Sequence, residues 1–276
     1  MPKRFNVTGA CIPEYHYMVD ISEKLEQIQT LVDSGAYFTM NRARQYGKTT
    51  TLNALKHKLD KNYCVFSISF EGMEQEVFAT AESFCIRLFG LLYDALRFGE
   101  TSGISEEIKT ELQHLAGSTD VRIDLRIFTD LVIRMCKTAD KPVILMIDEV
   151  DQAASELIFT AFLGVLRDMY LKRPGRPAFR SVILAGVHDI INIRHKLRPE
   201  EEHTMNSPWN IASDFLVDMS LSFEGIHKML RDYEADCHTG MNTEEIAALL
   251  YDYTSGYPFL VSRICQLIDE RLFENG

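Results

Sequence analysis

Paired cysteines are missing from this chain. Its six cysteines, Cys11, Cys64, Cys85, Cys136, Cys237 and Cys265, are scattered and form no C-x-x-C motif. That excludes the common zinc-ribbon and thioredoxin-type spacings and fits reduced core thiols of a cytosolic protein. Long apolar runs are also absent: none approaches the ~20 residues that a spanning helix needs. Met1-Pro2-Lys3-Arg4 is not followed by the apolar stretch of a secretion signal. The expectation is a cytoplasmic protein with no membrane partner. Cations are in deficit, with 29 Lys and Arg against 40 Asp and Glu. This balance argues against a broad nucleic-acid-binding face, so no nucleic-acid partner is indicated. Internal repeats, low-complexity tracts, a nucleophile elbow and an H-E-x-x-H helix are lacking too, which removes several catalytic classes.

What is present is enough apolar sequence, 46% of 276 residues, for one large domain or one domain with a smaller companion. A first helix is expected over about 21–33, with Asp20 and Glu23 as a capping pair and Ile21, Leu25, Ile28 and Val32 on one face. Short runs rich in β-branched and aromatic residues follow at 37–41, 64–70, 143–147, 181–187 and 215–221. Helical periodicity separates them, including an all-helical insert at about 72–139 and a helix at about 154–170. Strands that read as continuous apolar runs and alternate with helices predict an α/β fold with a parallel sheet of about five strands, flanked by helices. From Ser222 onward the pattern is only helical. Gly256 follows one helix and Pro258 opens the next, the expected asymmetry of helix ends. The predicted organisation is a core at 1–221 and a C-terminal helical subdomain at 222–276.

Two places carry chemistry. The first is Arg42-Ala43-Arg44-Gln45-Tyr46-Gly47-Lys48-Thr49, with Thr50 next, between a predicted strand and a predicted helix. The general phosphate-binding form is G-x-x-x-x-G-K-[ST], and Arg42 stands at its first glycine position. Backbone N–H groups between a strand and a helix N-terminus make an anion-binding nest. Gly47 allows close approach of the backbone, Lys48 supplies a point charge to the β- and γ-phosphates, and the Thr49 hydroxyl is a Mg²⁺ ligand. A bare Gly-Lys-Thr also occurs in ordinary surface turns. The second place separates these readings. The most apolar strand runs straight into Asp148-Glu149. Carboxylates at the carboxyl end of a central parallel strand lie where open α/β sheets bind ligands. Asp148 would hold Mg²⁺ through its water shell, and Glu149 would polarise a water for attack on a γ-phosphate.

Together these residues resemble the P-loop NTPases that carry a catalytic Glu beside the Walker B Asp. More closely, they are similar to the AAA-like ATPases of bacteria and archaea related to the STAND signalling NTPases. Members often read Arg-Pro-Arg-x-x-Gly-Lys-Ser/Thr in the loop. Arg42, Arg44, Gly47, Lys48 and Thr49 match that form, and Ala43 replaces the proline. The Gly-x-Pro of the helical domain is matched by Gly256-Tyr257-Pro258. The resemblance implies ATP and Mg²⁺ as cofactors, with Arg42, Arg44, Gln45, Tyr46, Gly47, Lys48, Thr49 and Thr50 around the phosphates. It places Pro258 at the adenine and makes Tyr17 and Val19 candidate pocket walls, with core packing as their other reading. It makes 181–187 the sensor 1 strand, with His188 and Asp189 as candidate phosphate readers, although neither is the common Asn, Thr or Arg; the other reading of His188 is a histidine that satisfies a loop carbonyl. It further implies a slow ATP-driven switch in a signalling or regulatory assembly, with a protein partner or self-association. A nucleotide-binding interaction module with little turnover, or a small-molecule kinase, would share the same loop. The choice of ATP over GTP rests on the resemblance; the sequence contains no Asn-Lys-x-Asp guanine motif.

Overall fold

The computed structural model describes residues 3–99, 101–118, 123–187 and 209–274. Four strands form one sheet: β1 (Tyr37–Asn41), β2 (Cys64–Ser69), β3 (Val143–Asp148) and β4 (Ser181–Gly186). Their order is β1-β4-β3-β2, and every pairing is parallel. Tyr37 lies opposite Val182, Ile144 opposite Ser181, and Ser69 opposite Asp148. All six residues of β3 and of β4 are buried. Burial on both faces is what their uninterrupted apolar runs require.

The helices are α1 (Ser22–Asp33), α2 (Lys48–Leu59), α3 (Ala81–Phe98), α4 (Glu106–Ala116), α5 (Leu125–Thr138), α6 (Leu157–Lys172), α7 (Phe223–Cys237), α8 (Thr243–Thr254) and α9 (Pro258–Glu274). The expected helical insert is therefore α3, α4 and α5 behind a short 3-10 turn at Gln75–Phe78. Local chemistry sets where they start. Thr80 and Ser83 form a reciprocal capping box, Ser105 accepts from the Ile108 N–H, and Asp124 accepts from Arg126 and Ile127. Each such cap is worth about 1 kcal/mol. The α6 helix begins three residues later than expected, because a 3-10 turn at Val150–Ala153 takes up the chain after β3.

Contact density divides the chain into two compact units. One comprises Gln29–Asn41 and Leu55–Leu216. Its core contains the sheet and an aromatic cluster in which Phe84, Phe128 and Phe159 surround Phe162. Trp209 is fully buried in this core, with its ring centroid 6.1 Å from that of Tyr37. The other unit comprises Met1–Ile28, Arg42–Ala54 and Val217–Gly276. Its core joins Phe5, Tyr17 and Val19 to Ile226, Met229, Leu230 and Tyr233 of α7 and to Val261 and Cys265 of α9. Among the described residues, no helix is long and apolar enough to cross a membrane.

The expected fifth strand at 215–221 does not form. Beside β1 the chain makes one bridge, Phe38 to Ser213, closed by the Ser213 N–H on the Tyr37 carbonyl at 2.8 Å. Beyond it, backbone groups find other partners. The Val217 carbonyl accepts from Arg42 Nη2 at 2.9 Å, the Ser220 carbonyl accepts from Lys24 Nζ, and the Leu221 N–H donates to the Gly256 carbonyl at 2.8 Å. Alternating apolar residues are present, but these carbonyls are engaged by cationic side chains. The sheet has four strands among the described residues rather than about five.

Candidate functional site

The chain leaves β1 at Asn41 and enters the loop at Arg42. Gln45 and Gly47 have φ of +62° and +75°, so the backbone reverses its curl twice before α2 begins at Lys48. A Cβ at Gly47 would meet nothing within 4 Å, so it is the left-handed φ that demands glycine there. The open space is also what an approaching anion needs. Lys48 is only 6% exposed, and its Nζ donates to the carbonyls of Arg42 at 2.8 Å and Ala43 at 3.1 Å. The side chain is thus folded back along the loop, with its charge kept beside carbonyl oxygens. Thr49, one residue into α2, is exposed, and the Thr50 hydroxyl accepts from the Cys11 N–H at 3.0 Å.

The helical part of the same unit meets this loop through tyrosines. The rings of Tyr46 and Tyr257 lie 4.7 Å apart, and the Tyr257 hydroxyl donates to the Arg44 carbonyl at 2.8 Å. Gly256 explains why the turn before Pro258 has its sequence. Its φ is +73°, and an added Cβ would sit 2.0 Å from the Leu221 carbonyl oxygen. Only glycine permits that approach. A pocket open to solvent lies here. Gly47, Thr50 and Thr51 line one part of it, and Tyr17, Val19, Met219, Leu221, Met229 and Pro258 supply an apolar wall. Pro258, Tyr17 and Val19 therefore line one pocket with Gly47, Thr50 and Thr51, and Tyr17 and Val19 also belong to the buried core of this unit.

The N-terminal segment that brings Tyr17 here is held by its own polar contacts. The His16 Nδ1 accepts from the Ile12 N–H at 2.8 Å. Burial, helped by the Arg4 charge, lowers the His16 pKa and favours the neutral acceptor. The Tyr17 hydroxyl donates to Asp236 at 3.0 Å, while its ring packs between Phe5 and Tyr233. Burial, and then the bond to Asp236, push its pKa up.

The carboxylates belong to the sheet unit. Asp148 ends β3, is 7% exposed, and accepts from the Glu149 N–H at 2.9 Å. Glu149 has φ +54° and ψ +39°, a left-handed conformation that a side chain with a Cβ adopts at a cost of about 1 kcal/mol or more. Asp151 follows in the 3-10 turn. Its Oδ2 accepts from the Val187 N–H at 2.5 Å, just past β4. The ends of β3 and β4 are thereby joined by one side chain, a tie that no motif in the sequence announced. Sequence reasoning also missed the Tyr46–Tyr257 ring pair, although Tyr257 stood inside the Gly-x-Pro signal.

Mg²⁺ is usually bound by one or two carboxylates together with substrate phosphates and waters. A hydroxyl at Thr49 and a carboxylate at Asp148 are donors of that type. Among the described residues, no cluster of three or more His, Cys, Asp and Glu offers a dedicated metal cage.

His188 and Asp189, the candidate phosphate readers, lie outside the described residues, as do Arg194 and Arg198. Three other arginines are engaged within the chain. Arg173 stacks 4.0 Å over the Tyr170 ring, Arg180 donates to the Asp33 carbonyl, and Arg176 lies 3.9 Å from Asp130. Arg263 donates to Gln266 at 2.7 Å on its own helix.

The AAA-like domain family matches residues 14–273, nearly the whole chain. No curated protein matches the sequence. Among solved structures, the Walker-type ATPase of Pyrococcus abyssi is similar with a TM-score of 0.58 and 16% identity, over 93% of this chain and 69% of that one. Cdc6p from Pyrobaculum aerophilum follows with a TM-score of 0.47 and 15% identity, over 93% of this chain and 62% of that one. A chain of the Drosophila ORC structure bound to poly(dA/dT) DNA and Cdc6 matches at a TM-score of 0.44 and 12% identity, over 76% of this chain and 30% of that one. The chain thus spans less than two thirds of the latter two.

Proposed function

This chain belongs to the AAA-like domain family, and from that premise we propose that it binds ATP with Mg²⁺ and hydrolyses it slowly, as a conformational switch. The observation that carries the reading is a pocket shared by Gly47, Thr50 and Thr51 of the loop segment and an apolar wall ending at Pro258. An apolar slot beside a phosphate loop suits a molecule with a flat base at one end and a triphosphate at the other. In this reading Tyr17, Val19 and Pro258 contact adenine. The backbone N–H groups of Arg44 to Thr50 face the phosphates. Lys48 exchanges the carbonyls of Arg42 and Ala43 for the β- and γ-phosphate oxygens.

Mg²⁺ would neutralise charge on the β- and γ-phosphates, held by the Thr49 hydroxyl and, through water, by Asp148. Glu149 is the proposed general base that orients and deprotonates the attacking water. Its left-handed backbone is of the kind found where a fold holds a side chain for chemistry. Domains at 1–221 and 222–276, a cytoplasmic location and a protein partner or second copy complete the proposal. The test is calorimetric titration with ATP and Mg²⁺. Wild type is expected to bind, and Lys48→Ala to lose at least about tenfold in affinity, the loss of one strong charge-assisted contact. Equal affinity in the two proteins would remove the loop from the site.

A further inference from the structure

Arg42 occupies the position where the general phosphate loop has its first glycine, and its guanidinium is turned to the backbone of another segment. Nη2 donates to the Val217 carbonyl at 2.9 Å. Three residues on, the Ser220 carbonyl accepts from the Lys24 ammonium of α1. Asp218 lies between these two grips. Its pKa is lowered first by the Ser220 N–H, against its own partial burial, and further by the charges of Lys24 and Arg42. Lys24 is itself partly desolvated, which lowers its pKa, and Asp218 opposes that shift.

The gripped segment matters because of what it carries. Met219 and Leu221 line the pocket, as does Lys24. This stretch has no strand ladder to hold it. The Leu221 N–H bonds to Gly256, while the carbonyls at 217 and 220 bond to the two cations. Besides that backbone bond and the burial of Val217 and Met219, the wall is held by these side-chain bonds, and charge-assisted ones are the stronger kind.

We infer that Arg42 and Lys24 are positioning residues that clamp the 217–221 segment, so that Arg42 shapes the wall of the base pocket rather than contacting phosphate. This rests on the nucleotide reading above. A clamp of this kind links the first residue of the phosphate loop to the chain that leads into α7. A lysine at position 42 keeps the charge and loses the guanidinium's spread of donors.

The experiment compares ATP, ADP and adenosine binding to wild type, Arg42→Gln, Arg42→Lys and Lys24→Met, with adenosine measured by competition against a fluorescent ADP analogue. Thermal unfolding of each variant checks that it is folded. The clamp requires Arg42→Gln and Lys24→Met to weaken all three ligands by the same factor, about tenfold each. Arg42→Lys should recover part of the loss. The double variant should lose less than the product of the two, because both act on one segment. A loss confined to ATP, with ADP and adenosine unchanged, would make Arg42 a phosphate ligand and overturn the inference. So would unchanged affinities in both single variants. Wild type that binds none of the three would sink the nucleotide reading, and the clamp with it.

Discussion

At the scale of single residues, two left-handed backbone conformations stand out, one in each compact unit. Glu149 is left-handed without being glycine, and Gly256 is left-handed against a neighbouring carbonyl. The second gives a sharp expectation. Gly256→Ala forces a methyl into the Leu221 backbone and adds the strain of positive φ. It should destabilise the chain by about 2 kcal/mol or more, read as a lowered midpoint in urea. A change under about 0.5 kcal/mol would show that the turn is not held as described. The motif Gly-x-Pro was legible in the sequence. The reason for its glycine was not, because it depends on Leu221, 35 residues away. Lys48 and Asp148 were legible for a similar reason: each sits at the end of an element whose periodicity marks it. The guanidinium of Arg42 bonds to a carbonyl 175 residues away, and no local pattern encodes such a partner.

At the scale of elements, the sheet shows what periodicity can and cannot say. The four strands whose apolar runs pack on both faces formed as read from the sequence. The fifth run, at 215–221, has strand-like alternation, but Leu216 is 88% exposed and the neighbouring carbonyls bond to side chains. Composition records a residue's preference for a pleated surface, not whether a ladder is available. The tie between β3 and β4 yields a test. Asp151→Ala removes the acceptor for the Val187 N–H, so the end of β4 should loosen. Nucleotide affinity is expected to stay within about twofold while turnover falls about tenfold. Equal losses in both would point to general destabilisation instead.

The start of α1 supplies a pH expectation. The Asp20 carboxylate accepts from Ser22 at 3.0 Å and pairs with Lys228 of α7 at 3.1 Å. These bonds, Ser22 first, lower its pKa from 3.8 to about 2. A depressed carboxylate pKa stabilises the fold above the unfolded value and loses that contribution as pH falls from about 4 through 2. Asp20→Asn should therefore flatten the acid limb of the stability profile in that window and leave its neutral side nearly parallel to wild type. Because the pair is largely exposed, the difference should shrink in high salt.

At the scale of the whole molecule, the fold class followed from alternation of strands and helices. The grouping of segments into compact units did not. The N-terminal stretch and the loop segment cluster with the last three helices through contacts such as Phe5 and Tyr17 with Tyr233, and Tyr46 with Tyr257. Those are long-range aromatic contacts, invisible to any local window. They give the loop a helical companion, with a pocket lined by both. The proposal that this assembly hydrolyses ATP depends most on Glu149. Its most direct test is phosphate release from ATP and Mg²⁺ by wild type and Glu149→Gln, with ATP affinity measured on both. The expected result is slow turnover in wild type, a fall of about a hundredfold or more in the variant, and ATP affinity retained. A variant that releases phosphate as fast as wild type, or a wild type that binds ATP and never releases phosphate, would contradict the account.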